Sequence, residues 1–194
     1  MCTVAKDAKG FLAATKVSPQ WKNKTPGQKL FLETLKLYDP SPALFVSSDT
    51  SHLSRGELQT YREGQHLYST FCAGCHGANG EGVQKIGPPL QNSEWVTGPY
   101  EITGRILYKG LEGLVSINGK RYAPPEILPA MPPLFSLKDS QLVSILAYIR
   151  NNWGHKGSIP SAKDLRRIRD MTIGRTTPWK EEDLRDLFRQ IDND

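Results

Sequence analysis

No apolar run in this 194-residue chain approaches the roughly 18 to 20 residues that cross a bilayer, and 23% charged against 38% hydrophobic residues describes a soluble globular chain. Positive charge is in excess, at a formal +5, but it is not gathered into a block. Apart from Lys163, Arg166, Arg167 and Arg169 the basic residues are dispersed, and no nucleic-acid motif accompanies them, so nucleic acid is not the expected partner. Cysteine is scarce, with Cys2 standing alone near the terminus and only one further pair. A structural zinc site, which takes four ligands, therefore lacks its second pair. Methionine is equally scarce, at three residues, and histidine numbers four. The first residues, Met1-Cys2-Thr3-Val4-Ala5-Lys6-Asp7, have no apolar signal-peptide core.

What is present is concentrated in Cys72-Ala73-Gly74-Cys75-His76. Cys-x-x-Cys-His is the attachment signature of a c-type haem: two thiols at this spacing reach the two vinyl groups of one porphyrin, and the adjoining histidine can bind its iron. A thioredoxin-like dithiol would follow a strand in an alternating strand and helix pattern. Here a helix-like segment precedes the motif and a glycine-rich loop follows. The motif occurs once, so one haem can be attached and a di-haem peroxidase is excluded.

The chain divides into three parts. Residues 1–52 form an N-terminal extension in which Thr25-Pro26-Gly27-Gln28 opens one helix, before Asp39-Pro40-Ser41-Pro42 stops it. Residues 53–154 form the haem domain. Ser54-Arg55-Gly56-Glu57 is a capping box, and Leu58, Tyr61, Gln65, Tyr68 and Phe71 follow at helical spacing up to Cys72. A short helix is expected over Ile102 to Tyr108, with Ile106 and Leu107 facing the core or the haem. Val115 to Tyr122 alternates about Asn118-Gly119, a type I′ hairpin signal. A last helix opens near Ser136-Leu137-Lys138-Asp139, carries the stripe Leu142, Ile145, Leu146 and Ile149, and ends at Gly154. Residues 155–194 form a basic, helical C-terminal extension: one helix capped by Ser161, and another after Pro178 with Leu184, Leu187, Phe188 and Ile191 on one side. That stripe must bury, by default on its own chain.

The residues after the motif, Gly77-Ala78-Asn79-Gly80-Glu81-Gly82 and then Ile86-Gly87-Pro88-Pro89-Leu90, closely resemble the class I monohaem cytochrome c family. The resemblance implies an all-α class I cytochrome c fold, here with a small β-hairpin insertion and helical N- and C-terminal extensions, and one covalent haem c. In that family a proline carbonyl accepts the hydrogen bond of the haem histidine's second ring nitrogen, and Pro88 stands at that place, with Leu90 beside it as a haem contact. A metal-bound histidine needs such an acceptor to fix its tautomer. Met131, in the proline-stiffened run Leu128-Pro129-Ala130-Met131-Pro132-Pro133-Leu134, resembles the family's second iron ligand. His52, His66 and His155 are the rival ligands, and a methionine filling a core gap is the alternative reading of Met131, which its position and flanking prolines disfavour. The family's terminal helices cross, here at Gly64 and Tyr148. Trp95, Arg105 and Tyr122 are candidates to meet the haem propionates.

Further runs, Ser93-Glu94-Trp95-Val96, Gly110-Leu111-Glu112-Gly113 and Ala147-Tyr148-Ile149-Arg150-Asn151-Asn152-Trp153-Gly154, look like the cytochrome domains associated with sugar or alcohol dehydrogenase-like proteins; this resemblance covers roughly residues 58 to 180. It implies an electron carrier rather than an enzyme, with a dehydrogenase as donor and an oxidase or another cytochrome of a respiratory chain as acceptor. A basic surface would steer an acidic redox partner. An enzyme or gas sensor with an open or labile sixth iron position is the alternative. Covalent haem attachment implies a periplasmic or outer-face location, so the chain is expected to be trimmed or to be one segment of a larger exported polypeptide. Membrane association would come only through a complex or through lipidation of Cys2, which can equally be a free thiol.

Overall fold

The computed structural model describes residues 48–191, and the helix expected after Thr25 lies outside them. Helix α1, Arg55–Phe71, starts where its cap dictates: the Ser54 hydroxyl accepts from the Glu57 N–H, and the Glu57 carboxylate accepts from the Ser54 N–H at 2.9 Å. It buries Tyr61, Gly64 and Tyr68 on one face and passes through Cys72 into the single turn α2, Ala73–His76. Two further helices follow, α3 (Glu94–Thr97) and α4 (Tyr100–Lys109), the second buried through Ile102, Ile106 and Leu107. Four short strands come next: β1 (Leu111–Glu112), β2 (Val115–Ile117), β3 (Lys120–Tyr122) and β4 (Ala130–Met131). Strands β2 and β3 pair antiparallel from Val115↔Tyr122 to Ile117↔Lys120. Asn118 and Gly119 join them with φ of 49° and 78°, the two positive values that a type I′ turn requires. Strand β1 pairs antiparallel with β4, Leu111 opposite Met131.

Helix α5, Asp139–Ile149, buries the whole stripe Leu142, Ile145, Leu146 and Ile149. It crosses α1 at Gly64, where a Cβ would overlap the Ser144 carbonyl oxygen and lie 2.9 Å from the Tyr148 Cβ. Tyr148 fills the adjoining space, its ring centroid 5.2 Å from that of Tyr61 and 5.1 Å from that of Tyr68. Helix α6, Ala162–Met171, is capped by Ser161 and Asp164, and sends Leu165 and Ile168 into this same core. Its Arg169 joins the Tyr108 hydroxyl on the buried carboxylate of Asp139, at 3.0 and 2.8 Å, tying α4, α5 and α6 together.

A second cluster lies behind the β2–β3 hairpin: Trp95, Ile102, Ile106, Val115, Ile117, Ile127 and Leu184. Leu184 comes from helix α7, Glu181–Ile191, whose Leu187, Phe188 and Ile191 pack on the same cluster, so this stripe is buried by its own chain. Among the described residues no helix is long and apolar enough to cross a membrane.

Candidate haem site

Between the two core clusters opens an apolar cleft of about 1030 Å³, part of it continuous with solvent. The end of α1 and the turn α2 set Cys72, Cys75 and His76 on its wall; the 86–90 loop, α3, α4, β1, the hairpin, the 127–132 segment and α5 supply the rest. No Lys, Arg, Asp or Glu is among the lining residues.

His76 is buried, and its Nδ1 donates to the Pro88 carbonyl oxygen at 2.8 Å. Burial lowers its pKa and outweighs the opposing effect of that hydrogen bond, so the ring is neutral with its proton on Nδ1. Nε2 then keeps its lone pair, the state in which imidazole ligates a metal. Burial, with a smaller contribution from Cys75, pushes the Cys72 thiol up to about 12. A thioredoxin-type dithiol needs the opposite, a thiol lowered to about 7. Nor do the described residues contain a cluster of three or more His, Cys, Asp or Glu that would complete a zinc site.

Of the residues singled out in the sequence, Cys72, Cys75, His76, Pro88, Leu90, Trp95 and Met131 all line the cleft. Arg105 and Tyr122 do not. The Arg105 guanidinium donates to the Glu101 carbonyl on its own helix at 3.0 Å, and Tyr122 sits under the Lys120 ammonium, 4.9 Å from its ring centroid. Trp95 presents its ring to the cleft, but its Nε1–H is given to the Ser116 carbonyl at 2.8 Å, joining α3 to the hairpin. Val115 and Ile117 of that hairpin, and Ile106 and Leu107 of α4, are lining residues too.

The rival ligands are engaged elsewhere. His52 Nε2 is 2.8 Å from the Asn151 side-chain oxygen, and His66 is exposed on α1. His155 donates from Nδ1 to the Ile149 carbonyl and accepts the Asn92 N–H at Nε2. Met171 is exposed, whereas Met131 packs against both core clusters.

One supporting residue was not legible in the sequence. Arg150 is buried without a carboxylate partner in hydrogen-bond contact; its Nη1 donates to the carbonyls of Val96 and Gly98, each at 2.6 Å, and its Nε to that of Ser158 at 2.9 Å. It thereby fixes the end of α3 that carries Trp95 and Val96 into the cleft wall. The available signal was its position, directly after the apolar stripe of α5 and before Asn151 and Asn152.

Paired thiols and a neutral, oriented imidazole on one wall of an apolar cleft fit a covalently tethered haem, and define a haem protein of the c type. A sequence profile described as cytochrome c matches residues 61–153. The chain is 30% identical over 116 residues to cytochrome c-552 of Thermus thermophilus, covering 55% of this chain and 84% of that protein. It is 30% identical over 139 residues to the cytochrome c subunit of alcohol dehydrogenase (quinone) from Komagataeibacter europaeus, covering 69% of this chain and 26% of the subunit. With cytochrome c-L of Methylorubrum extorquens it shares 32% identity over 108 residues, 54% of this chain and 46% of the relative. The chain belongs to the cytochrome c family: it is a haem c protein of electron transfer, resembling class I members and those associated with dehydrogenases.

Proposed function

We propose that this chain is a monohaem, His/Met-ligated electron carrier on the periplasmic side of the cytoplasmic membrane, taking single electrons from a dehydrogenase and passing them to an oxidase or another cytochrome. The observation that carries the reading is that Met131 lines the same cleft as Cys72, Cys75 and His76. The two thiols would tether the group, and His76 Nε2 and the Met131 thioether would hold its iron. When bound, the haem supplies a one-electron ferrous/ferric couple, which a thioether ligand biases toward the ferrous state.

The chain's own residues do the rest. The Pro88 carbonyl holds the imidazole in one tautomer and makes it a better donor. The walls built from α4, the hairpin and Leu111 surround the reacting centre with apolar side chains. Residues 53–154 serve as the haem domain, with the C-terminal helices packed on it. The likeness to a dehydrogenase subunit and to cytochrome c-L supports a dehydrogenase as the donor. The formal +5 charge favours an acidic partner, met quickly at low salt. Attachment to the membrane, if any, runs through a complex or through Cys2.

The test is Met131→Ala in the ferric holoprotein. It should abolish the thioether charge-transfer band at the red end of the spectrum and let the ferrous form bind carbon monoxide rapidly. An unchanged band rejects Met131 as the ligand, and rapid carbon monoxide binding by the unaltered protein rejects a closed sixth position.

A further inference from the structure

Strand β1 has two edges, and both are used. On one it pairs with β4, Leu111 opposite Met131 and Glu112 opposite Ala130, and the Gly113 N–H extends the ladder to the Pro129 carbonyl at 2.9 Å. On the other, the C-terminal segment adds a parallel bridge between Leu111 and Trp179. The Trp179 N–H donates to the Gly110 carbonyl at 3.1 Å, and the Trp179 carbonyl accepts the Glu112 N–H at 2.8 Å. The order is thus Trp179, Leu111, Met131, and the last two line the cleft.

The Met131 segment needs outside support. Pro129, Pro132 and Pro133 have no N–H, so around Met131 the backbone can donate only from Ala130 and Met131, and of these only Met131, opposite Leu111, faces the two-residue β1, since Glu112 opposite Ala130 turns its N–H to Trp179. A pairing this short is marginal by itself. Trp179, in contrast, is anchored from three directions. Its Nε1–H donates to the Arg105 carbonyl of α4 at 3.1 Å, its body packs on the second core cluster, and the Arg175 guanidinium covers its ring at 3.8 Å while pairing with Asp183 of α7 at 2.7 Å. Gly110 leaves no slack, since a Cβ there would overlap the Met131 carbonyl oxygen.

We infer that the segment around Trp179 is a strap that holds β1, and through β1 the Met131 loop, so that the C-terminal extension sets how firmly the sixth iron position is kept closed to outside ligands. Trp179 is a positioning residue, acting through Leu111. The inference rests on the ligation reading proposed above.

The experiment measures imidazole binding to the ferric holoprotein, together with the thioether band, in full-length Trp179→Ala, Leu187→Ala and Met131→Ala. Leu187 packs on the same cluster from α7, which makes its variant the control for a general loss of stability. Trp179→Ala should bind imidazole about tenfold more tightly than the unaltered protein, the size expected from weakening one or two backbone hydrogen bonds of the loop. Leu187→Ala, compared at the same distance below its melting temperature, should stay within about twofold of the unaltered protein, below the effect of one net hydrogen bond. Unchanged affinity in Trp179→Ala, or an equal gain in Leu187→Ala, overturns the strap. Should Trp179→Ala not fold, Arg175→Ala takes its place with an expected gain of about threefold, and a flat response there overturns the strap as well. If instead Met131→Ala keeps its band, the ligation reading fails first and takes this inference with it; a band lost in Met131→Ala with unmoved affinity in Trp179→Ala sinks the strap alone.

Discussion

Gly64 of α1 meets the Ser144 carbonyl of α5 with no room for a Cβ between them. The closeness of the two helices is what lets Tyr148 fit between Tyr61 and Tyr68, so one missing side chain sets the depth of the main core. Gly64→Ala gains up to about 1 kcal/mol of helix propensity, but overpacking against a backbone carbonyl costs about 1–3 kcal/mol or more. The expected net is a loss of up to about 2 kcal/mol, visible as a lower urea midpoint of the holoprotein. A midpoint at or above that of the unaltered protein would mean that the helices can part freely.

Arg150 offers a second test. Its guanidinium satisfies the carbonyls of Val96 and Gly98 at the end of α3 and of Ser158 in the segment after α5. Arg150→Met keeps much of the volume and strands those acceptors, at about 1–3 kcal/mol for a buried group left unpaired. Lysine cannot reproduce the fork, so Arg150→Lys should recover little of the loss in denaturant unfolding. Full recovery by lysine would reduce the role of Arg150 to its charge.

How much of this was legible follows from how local each feature is. The capping box at Ser54 and Glu57, the stripe of α5 and the turn at Asn118-Gly119 are fixed by residues within a few positions of one another, and the chain folds there as its sequence reads. The haem motif is local in the same way. The surroundings are not. Trp95 is a propionate candidate by its polar tip, yet the Ser116 carbonyl of the hairpin takes its N–H. Arg105, a candidate by its charge, is turned onto its own helix. Arg150 and Trp179 matter through partners far along the chain, which no spacing rule reports.

His155 carries a pH dependence whose sign can be worked out. In the fold its Nδ1 donates to the Ile149 carbonyl at 2.8 Å and its Nε2 accepts the Asn92 N–H at 3.0 Å, which requires the neutral ring. Burial lowers its pKa below 6.5, the Ile149 hydrogen bond opposes that, and Arg150 lowers it further. Above pH 6.5 both folded and unfolded chains hold it neutral, and its contribution is complete. As pH falls below 6.5 the unfolded chain takes up the proton first, and stability drops until the folded pKa is reached. Urea midpoints measured between pH 8 and 5 should therefore fall more steeply for the unaltered protein than for His155→Gln. Parallel curves would show that the ring accepts a proton in place without losing Asn92.

Trp95→Phe separates two jobs that one side chain could perform. If the indole N–H served a propionate, its removal would move the reduction potential, because it would change the charge balance felt by the iron. The geometry gives that N–H to the Ser116 carbonyl instead, while the ring fills the cleft wall and stands edge-on to Phe188 of α7, centroids 6.4 Å apart. Phenylalanine keeps the ring contact and removes one of the two hydrogen bonds to the Ser116 carbonyl, leaving the one from Arg185 at 3.4 Å. The expected loss is about 1 kcal/mol of stability, that of one net hydrogen bond, with the potential unmoved. Protein-film voltammetry beside urea unfolding reads both quantities on one sample. A potential that shifts while stability holds would return Trp95 to the propionates and require the Ser116 bond to break when haem is bound.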